Sequence, residues 1–525
     1  MNTLVKEYRW PFIAALLILA LSFVPLWAGY AAQTPELRFI GTFVNRQDYT
    51  VHLAMTHYGE QGAWDFQFRF TTEPQNPTYL KTLYVVFGHL GRLLGIPAEI
   101  LFRIEHFIFG MLACLAIYYL LTFIFPTVQQ RRLAFVLAIL GAGLGWIQIP
   151  LGLVPERSLS PIDFWLIDAY IFFNIATLPH LSMTIAGMAF ALALFLRHLQ
   201  KPHWLNIAII AVCAFIVQFV NPVAFLIVDM AFAGIVAFAC WKNQKLDWKL
   251  ILTVGLLGVL QLPLLIYSFL LMNRDPAWIE FSRQNITLTP PPIYLLLGFG
   301  VLWIFALPGM IKAIRQRDVK LGWAAVWVVA AIVMSYLPLA VQRRFLLAIS
   351  LPIAVLATPM LLAFSEWLHQ RLRLSKLTGA IVMALFMMLS PLMLMSAFSN
   401  DMKDHPAELF EPVSLFDAAD WLGKNGTSTQ VVLAAEPTAQ LVAMRSPLKL
   451  YFGHVMETLY YTEKSQLVEN FYRGKQPTGW LESQGIDWVI FGPHEKKWGA
   501  SAPDLPNLKI SFQNDEVTIY KVVAP

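Results

Sequence analysis

Asp48 and His52 are the first residues whose types and spacing suit chemistry, in the string GTFVNRQDYTVHLAMTHYGEQGAW. Helical spacing over positions 46–58 places these two side chains four residues apart, on one face of a helix. A carboxylate held there accepts a proton from an attacking hydroxyl, and general base catalysis contributes about 10²–10⁴-fold to a rate. The alternative is that Asp48 caps a surface helix and His52 is only a polar neighbour. Asp48 is thus a candidate catalytic base and His52 a candidate substrate contact.

A second group of polar residues lies in SPIDFWLIDAYIFFNIATLPH. Asp163 is a candidate second catalytic carboxylate, and Asp168 and His180 are candidate substrate contacts. The alternative is an ordinary interfacial helix, since Trp165 and Tyr170 are typical of the aromatic belt at a membrane surface.

Arg343 and Arg344 stand next to an apolar run that begins near Phe345. Burying each arginine in hydrocarbon costs about 2.5–3.5 kcal/mol or more on insertion scales, so the pair must snorkel or bind an anion. Guanidinium groups match phosphate oxygens with two parallel hydrogen bonds. The two arginines are therefore candidate phosphate ligands, and snorkelling to lipid head groups is the alternative.

His454 and Glu457 are three residues apart in YFGHVMETLYYTEKSQLVENFYRG, which places them on one helix face beside a cleft. A zinc protease is excluded by the spacing, because HxxE is not HExxH. A structural role or contact with an acceptor remains for the pair.

The composition identifies the elements that must position these residues. The chain has 525 residues, of which 57% are hydrophobic and only 14% charged, whereas soluble proteins carry about a quarter charged residues. The net charge of +5 is scattered between apolar runs, which argues against nucleic-acid binding. The pattern predicts an α-helical polytopic membrane protein with about eleven spanning helices. The predicted spans are 11–30, 100–125, 133–152, 180–198, 204–220, 222–241, 249–272, 292–312, 321–340, 345–364 and 375–398.

Alternate connections between these spans are short and basic, as the positive-inside rule requires of cytoplasmic loops. A multi-pass protein of a bacterial inner membrane is predicted, with a cytoplasmic N-terminus and an extracytoplasmic C-terminal domain. The transmembrane domain is 1–398, with outer loops 31–99, 153–179 and 273–291. Tyr79–Gly95 is predicted to be an amphipathic helix on the outer surface, and Asn221–Pro222 the turn of a tight hairpin.

Residues 399–525 are predicted to form the extracytoplasmic α/β domain. Helical spacing marks 414–423 and 466–472, and β-like runs mark 429–434 and 486–491. The segments 508–512 and 517–522 are predicted to pair as a terminal hairpin around Asn514–Asp515.

The whole architecture resembles the GT-C class of polytopic membrane glycosyltransferases, of the mannosyltransferase and aminoarabinose-transferase type. The resemblance rests on four features: a first span, a long outer loop with an early Asp followed by an aromatic residue, many further spans and an outer C-terminal domain. Many members have an acidic pair in this loop, whereas Gln47–Asp48–Tyr49 supplies one carboxylate here.

The resemblance implies a hexosyltransferase-type enzyme that moves a sugar from a polyprenyl-phosphate carrier to a lipid, glycan or protein acceptor. Asp48 would deprotonate the acceptor hydroxyl in an inverting displacement, and Arg343 and Arg344 would hold the carrier phosphate. No cofactor is required on this interpretation. If a divalent metal binds, Asp48 and Asp163 are the expected ligands, because hard cations prefer carboxylate oxygen.

Two other functional classes remain open from the sequence. A lipid or solute transporter needs polar residues along a pathway through the midplane, and Asp229 in the middle of a span is the main support for it. A non-catalytic assembly protein would use the tail to bind a partner.

Overall fold

The computed structural model describes residues 2–154, 159, 161–373, 375–499 and 502–523. Residues 155–158 and 160 of the predicted loop 153–179 lie outside the described residues, as do four positions of the predicted tail domain. The chain divides into two compact units. The first unit comprises 1–24, 105–268 and 287–397, and the second comprises 25–104, 269–286 and 398–525.

The first unit is built from apolar helices, four of which continue into the segments of the second unit. The helices of this part of the chain are Asn2–Ala31, Ala98–Ile124, Val128–Leu140, Gly145–Gln148, Ile171–Thr177, Pro179–Gln200, Trp204–Val220, Ala224–Asn243, Trp248–Arg274, Pro292–Phe299, Val301–Arg315, Val319–Ser335, Ser350–Leu372, Lys376–Met387 and Leu389–Asp401. Short 3₁₀ turns cover Ile162–Phe164, Ile167–Ala169 and Gln342–Leu346.

Six helices among the described residues are long and apolar enough to cross a membrane, or up to eight if each of two bent pairs is one span. The first bent pair turns by 99° between Phe299 and Val301, and the second turns by 45°. The predicted spans at 204–220 and 321–340 correspond to helices of 17 residues, somewhat shorter than the ~20 that cross a bilayer core. The predicted break between these two helices is present, since one helix ends at Val220 and the next begins at Ala224.

The predicted span 133–152 is not one continuous helix, because the first helix ends at Leu140 and only a single turn follows at Gly145–Gln148. Gly141 adopts an extended conformation, and a Cβ on Gly143 would lie 2.3 Å from the backbone of Gly298. This close approach of two backbone segments, which the hydropathy pattern does not reveal, ends the helix.

The second unit combines helices with two small sheets. Its helices are Arg46–Glu60, Leu83–Leu94, Pro276–Gln284, Val413–Asn425, Glu436–Arg445, Tyr461–Tyr472 and Trp480–Ser483, with 3₁₀ turns at Met402–Asp404 and Glu495–Lys497. Its strands are β1 (Leu37–Phe39), β2 (Phe410–Pro412), β3 (Val431–Leu433), β4 (Lys449–Leu450), β5 (Trp488–Phe491), β6 (Leu508–Gln513) and β7 (Thr518–Val522).

Strand pairing brings distant parts of the chain together within this unit. The β1 strand pairs antiparallel with β2, so the segment after the first helix lies against the start of the tail. The larger sheet has the order β4-β3-β5-β7-β6, with β3 parallel to both β4 and β5. The predicted terminal hairpin is confirmed as the antiparallel pair β6–β7. The apolar strands β3 and β5 are buried in a core that includes Tyr451 and Phe471.

Two glycines allow the Arg46–Glu60 and Leu83–Leu94 helices to pack closely. A Cβ on Gly59 would lie 2.1 Å from the carbonyl oxygen of Val85, and a Cβ on Gly88 would lie 2.1 Å from that of Thr56. The predicted amphipathic segment 79–95 is thus helical over Leu83–Leu94, and the inner face of this helix depends on the absence of side chains at the contact.

We expect Gly88→Ala to lower the free energy of unfolding by about 1–3 kcal/mol, because the added methyl group meets backbone that has no room to move. The matched control is Gly258→Ala in the Trp248–Arg274 helix, where a Cβ meets nothing within 4 Å. That control should be neutral or stabilising by up to ~1 kcal/mol, since alanine is the better helix former. Thermal unfolding in detergent measures both, and equal melting temperatures would contradict the packing argument.

Candidate functional site

Asp48 lies in the first turn of the Arg46–Glu60 helix, which begins where the sequence predicts it. Asn45 caps this helix in the left-handed conformation, with φ of 52°. The Nδ2 of Asn45 donates a hydrogen bond to Oδ2 of Asp48, while its Oδ1 accepts from the Asp48 N–H at 3.5 Å. One carboxylate oxygen of the half-buried Asp48 is therefore fixed by its own helix cap.

The start of this helix is held by the tail. Nη1 of Arg46 lies 2.7 Å from Oε1 of Glu411, and the other Glu411 oxygen lies 2.7 Å from Nε2 of His494. Burial raises the pKa of Glu411, but the hydrogen bond from His494 and the charge of Arg46 outweigh it, so the net pKa is lowered. Arg46 also donates to the Pro437 carbonyl at 2.8 Å. These bonds position Asp48, two residues further along, relative to the tail.

Lys81 stands just before the Leu83–Leu94 helix and has a left-handed backbone, with φ of 59°. Its Nζ lies 3.8 Å from Oε1 of Glu457 and 4.2 Å from the centroid of the Phe281 ring. A cation over an aromatic face is stabilised by the ring quadrupole. The side chain retains 35% of its exposure. Lys81 is therefore a positioned, accessible positive charge.

His454 and Glu457 lie on a loop rather than on a helix, and His454 forms the turn that presents Glu457. The Nδ1 of His454 accepts hydrogen bonds from the N–H groups of Met456 and Glu457, both at 3.0 Å. Both side chains are buried, each with only 3% exposure.

The electrostatics place Asp48, Lys81, His454 and Glu457 in one cluster. Burial lowers the pKa of His454, with Asp48 opposing this shift and Lys81 adding to it. Burial raises the pKa of Glu457 to about 7, against the attraction of Lys81 and with support from the charge of Asp48. At neutral pH His454 is consequently neutral, and Glu457 is close to the midpoint of its titration.

His52 lies beside this cluster and packs against aromatic rings. Its ring stacks on Tyr84 with centroids 4.1 Å apart. Burial, then the charges of Lys81 and His454, lower its pKa to about 3, so it is neutral at physiological pH. These contacts suit an orienting or packing residue, and the substrate-contact role stays a prediction.

Among the described residues, eight non-glycine residues have a positive φ, and three of them lie at the cluster. Asn45, Lys81 and Tyr460, which flank or belong to it, all have φ between 52° and 59°. Non-glycine residues rarely adopt this region, and each costs of order 1–3 kcal/mol that the surrounding structure must offset. Such residues cluster at functional sites.

Five of the candidate site residues predicted from the sequence belong to the first unit: Asp163, Asp168, His180, Arg343 and Arg344. The buried Oδ2 of Asp163 accepts the N–H groups of Gly143 at 3.1 Å and Gly145 at 3.2 Å, so this carboxylate supports the chain where the Val128–Leu140 helix has ended. Its assignment as a second catalytic carboxylate stays a prediction.

Arg343 lies with its Nε 3.5 Å from Oδ2 of Asp168, an ion pair between two candidate residues. Its guanidinium also lies 5.9 Å from the ring centroid of Trp165. Arg344 follows in the same 3₁₀ turn and is half-buried, and His180 is the second residue of the Pro179–Gln200 helix. Their roles toward a phosphate or a sugar stay predictions.

Asp229 is hydrogen-bonded within the first unit. The Nε2 of Gln261 lies 3.1 and 3.0 Å from the two carboxylate oxygens. This pairing between two helices fits the packing role that is the alternative to a transport pathway.

Within the ranges that the structure describes, no group of three or more His, Cys, Asp or Glu side chains is arranged to hold a metal ion. The two ligands expected for a metal belong to different units, Asp48 to the second and Asp163 to the first.

Comparison with solved structures identifies the fold. ArnT from Cupriavidus metallidurans in the apo state has a TM-score of 0.56 and 12% identity, over 99% of each chain. The same protein bound to undecaprenyl phosphate has a TM-score of 0.54 and 13% identity, over 98% of this chain and 97% of that one. Arabinofuranosyltransferase AftD from Mycobacteria has a TM-score of 0.54 and 15% identity, over 99% of this chain but only 40% of AftD.

No protein-family model and no curated protein matches the chain. The structural likeness nevertheless covers nearly the full length, and it confirms the fold that the sequence suggested. The chain is a polytopic membrane protein with a GT-C-like glycosyltransferase fold and a small α/β domain at its C-terminus.

Lys81 is the member of the cluster that sequence reasoning missed. It stands out in the sequence only as a charge within an amphipathic segment, and nothing there indicates contact with Glu457. Together the cluster offers a carboxylate, a cation, a neutral imidazole and a titratable carboxyl. This set can remove a proton, stabilise an anion and bind hydroxyl groups.

The raised pKa of Glu457 predicts a pH-dependent stability. Between about pH 4.5 and 7 the folded protein holds a proton on Glu457 that the unfolded chain has lost, so the contribution of Glu457 to stability falls as pH rises through this window and levels off above it. The lowered pKa values of His52 and His454 make contributions of the opposite sign, so Glu457 is read from the difference between variant and wild type. We expect Glu457→Gln to remove the Glu457 contribution and to be more stable than wild type at pH 8, by up to about 3 kcal/mol.

Melting temperatures in detergent between pH 4.5 and 8 test this expectation. The control is Glu463→Gln, because Glu463 is exposed at the start of the Tyr461–Tyr472 helix. A Glu457→Gln profile parallel to that of wild type would show that Glu457 does not titrate in this range.

Proposed function

We propose that this protein is a membrane glycosyltransferase that transfers a sugar from a polyprenyl-phosphate carrier to an acceptor hydroxyl. The observation that carries the proposal is the convergence of Asp48, Lys81, His454 and Glu457 in the second unit. The GT-C-like fold supports it, since one structural neighbour is bound to undecaprenyl phosphate.

In the proposed reaction the oxygen of the acceptor hydroxyl attacks the anomeric carbon of the carried sugar. Asp48 accepts the proton of that hydroxyl. The bond between that carbon and the phosphate oxygen breaks, and the phosphate leaves with the electron pair. The configuration at the anomeric carbon is inverted. The reaction therefore needs a base on the acceptor side and a cation for the leaving phosphate.

Lys81 is the proposed cation, because it is accessible and lies in the cluster that contains Asp48. Arg343 and Arg344, proposed from the sequence to bind phosphate, belong to the first unit, and Arg343 already shares its charge with Asp168. The two proposals for the phosphate-binding cation thus name residues of different units, and mutation of each distinguishes between the proposals.

The finer features of the proposal are a hexose donor, a lipid, glycan or protein acceptor, and transfer at the outer face of a bacterial inner membrane. Support for this orientation comes from the short basic connections between the predicted spans.

Asp48→Asn is expected to lower kcat by about 10²–10⁴-fold, because the amide cannot accept the proton of the hydroxyl. Radiolabelled undecaprenyl-phosphate sugars and membrane extract as acceptor provide the assay, with full-length protein in liposomes. Asp417→Asn is the control, since Asp417 is exposed on the Val413–Asn425 helix. Full activity in Asp48→Asn would remove Asp48 as the base. Absence of transfer by folded wild type with every donor would favour a transporter or an assembly protein.

Lys81→Gln is expected to weaken binding of undecaprenyl phosphate about 10-fold or more, because the amide stays polar but loses the charge. Binding is measured by the carrier-dependent rise in melting temperature, with Arg344→Gln in parallel. If Arg344→Gln weakened carrier binding and Lys81→Gln left it unchanged, the phosphate would be assigned to the arginines instead.

A further inference from the structure

The loop from Phe452 to Tyr460 is held rigidly from several sides. Oγ1 of Thr458 accepts the N–H groups of Gly453 and His454 at 3.2 and 3.1 Å. Nε2 of Gln284 donates to the carbonyls of Met456 and Thr458 at 3.2 and 2.9 Å. The side chains that this loop carries are consequently preorganised.

Gly453 brings the loop close to its neighbours. Its φ is +149°, and a Cβ there would lie 2.6 Å from the Cβ of Ala439. Its carbonyl accepts a hydrogen bond of 3.0 Å from Nε2 of Gln440. A residue with a side chain at this position would displace the loop, so the position of His454 depends on this glycine.

His454 is fixed in one hydrogen-bonding state. Because Nδ1 accepts two backbone N–H groups, the proton of the neutral ring must be on Nε2. That Nε2 is buried and has no hydrogen-bond partner among the residues that the structure describes. His454 thus presents a hydrogen-bond donor of known direction without a protein acceptor.

Glu457 presents the complementary group. Its Oε1 faces Lys81, whereas its Oε2 is buried and likewise has no hydrogen-bond partner within the described chain. A buried polar atom without a partner costs about 1–3 kcal/mol. One unmatched donor and one unmatched acceptor, three residues apart on a rigid loop, suit a ligand group that both donates and accepts.

We propose that His454 and Glu457 form a hydroxyl-binding pair for a sugar, in which Nε2–H of His454 donates to one sugar oxygen and Oε2 of Glu457 accepts from a sugar hydroxyl. This inference rests on the proposed function and names the part of the site that recognises the sugar. The sugar is either the one carried by the polyprenyl phosphate or a glycan acceptor, since both offer the same hydroxyl chemistry.

Two substitutions at position 454 separate recognition from folding. In His454→Asn the amide oxygen takes the place of Nδ1 and accepts the two backbone N–H groups, while the distal donor is lost. In His454→Gln the amide reaches toward the Nε2 position, and the acceptor that shapes the loop is lost. We expect the asparagine variant to keep the wild-type melting temperature and the glutamine variant to lose stability.

The test compares undecaprenyl phosphate with undecaprenyl phosphate that carries a hexose or a pentose, using full-length protein and the ligand-dependent rise in melting temperature. We expect wild type to bind a sugar-bearing carrier more tightly than the bare carrier. His454→Asn and Glu457→Gln should each lose about 10-fold of this sugar-dependent difference, measured against each variant's own binding of the bare carrier because Glu457 neighbours Lys81.

Three other outcomes can be distinguished from the expected result and from one another. Unchanged donor binding with a KM for the glycan acceptor raised about 10-fold in both variants would assign the pair to the acceptor. Unchanged donor binding and unchanged acceptor KM would overturn the inference, while carrier binding and transfer by wild type would leave the proposed function intact. Wild type that binds no carrier and transfers from no donor would overturn both.

Discussion

The arrangement of the second unit depends on the ion pairs that the buried carboxylate of Glu411 forms with Arg46 and His494. This carboxylate lies between Arg46 and His494, with 1% exposure, and joins the helix that carries Asp48 to the tail that carries His454. Removing one partner of such a buried pair leaves an uncompensated charge and costs about 3–5 kcal/mol. The antiparallel pairing of β1 with β2 supports the same junction through the backbone.

The cluster built on this junction combines charges that separate elements contribute. Asp48 comes from a helix start, Lys81 from a strained turn and Glu457 from a rigid loop. Each is therefore fixed before any ligand arrives, which is the condition under which electrostatic stabilisation of a transition state is most effective. The unmatched atoms of His454 and Glu457 reduce stability, and such a cost is expected where polar groups are reserved for a ligand.

The sequence predicted the features that depend on local pattern. Hydropathy located the helices, and helical spacing placed Asp48 and His52 on one helix, while the turn residues Asn514–Asp515 marked the β6–β7 hairpin. The sequence pattern did not predict contacts between distant residues. For example, the hydrogen bonds from Gly143 and Gly145 to Asp163 depend on a helix break that is caused by packing of backbone on backbone. Lys81 was missed because its left-handed turn contains no glycine or asparagine to mark it.

A structure of the full-length protein in lipid nanodiscs with undecaprenyl phosphate would show whether the carrier phosphate binds at the cluster. We expect density for the phosphate within about 3 Å of Nζ of Lys81, the distance of a charge-assisted hydrogen bond. Bound carrier whose phosphate lies away from Lys81 and Asp48 would contradict the proposed function, because the proposed base and the leaving group would then not share one site.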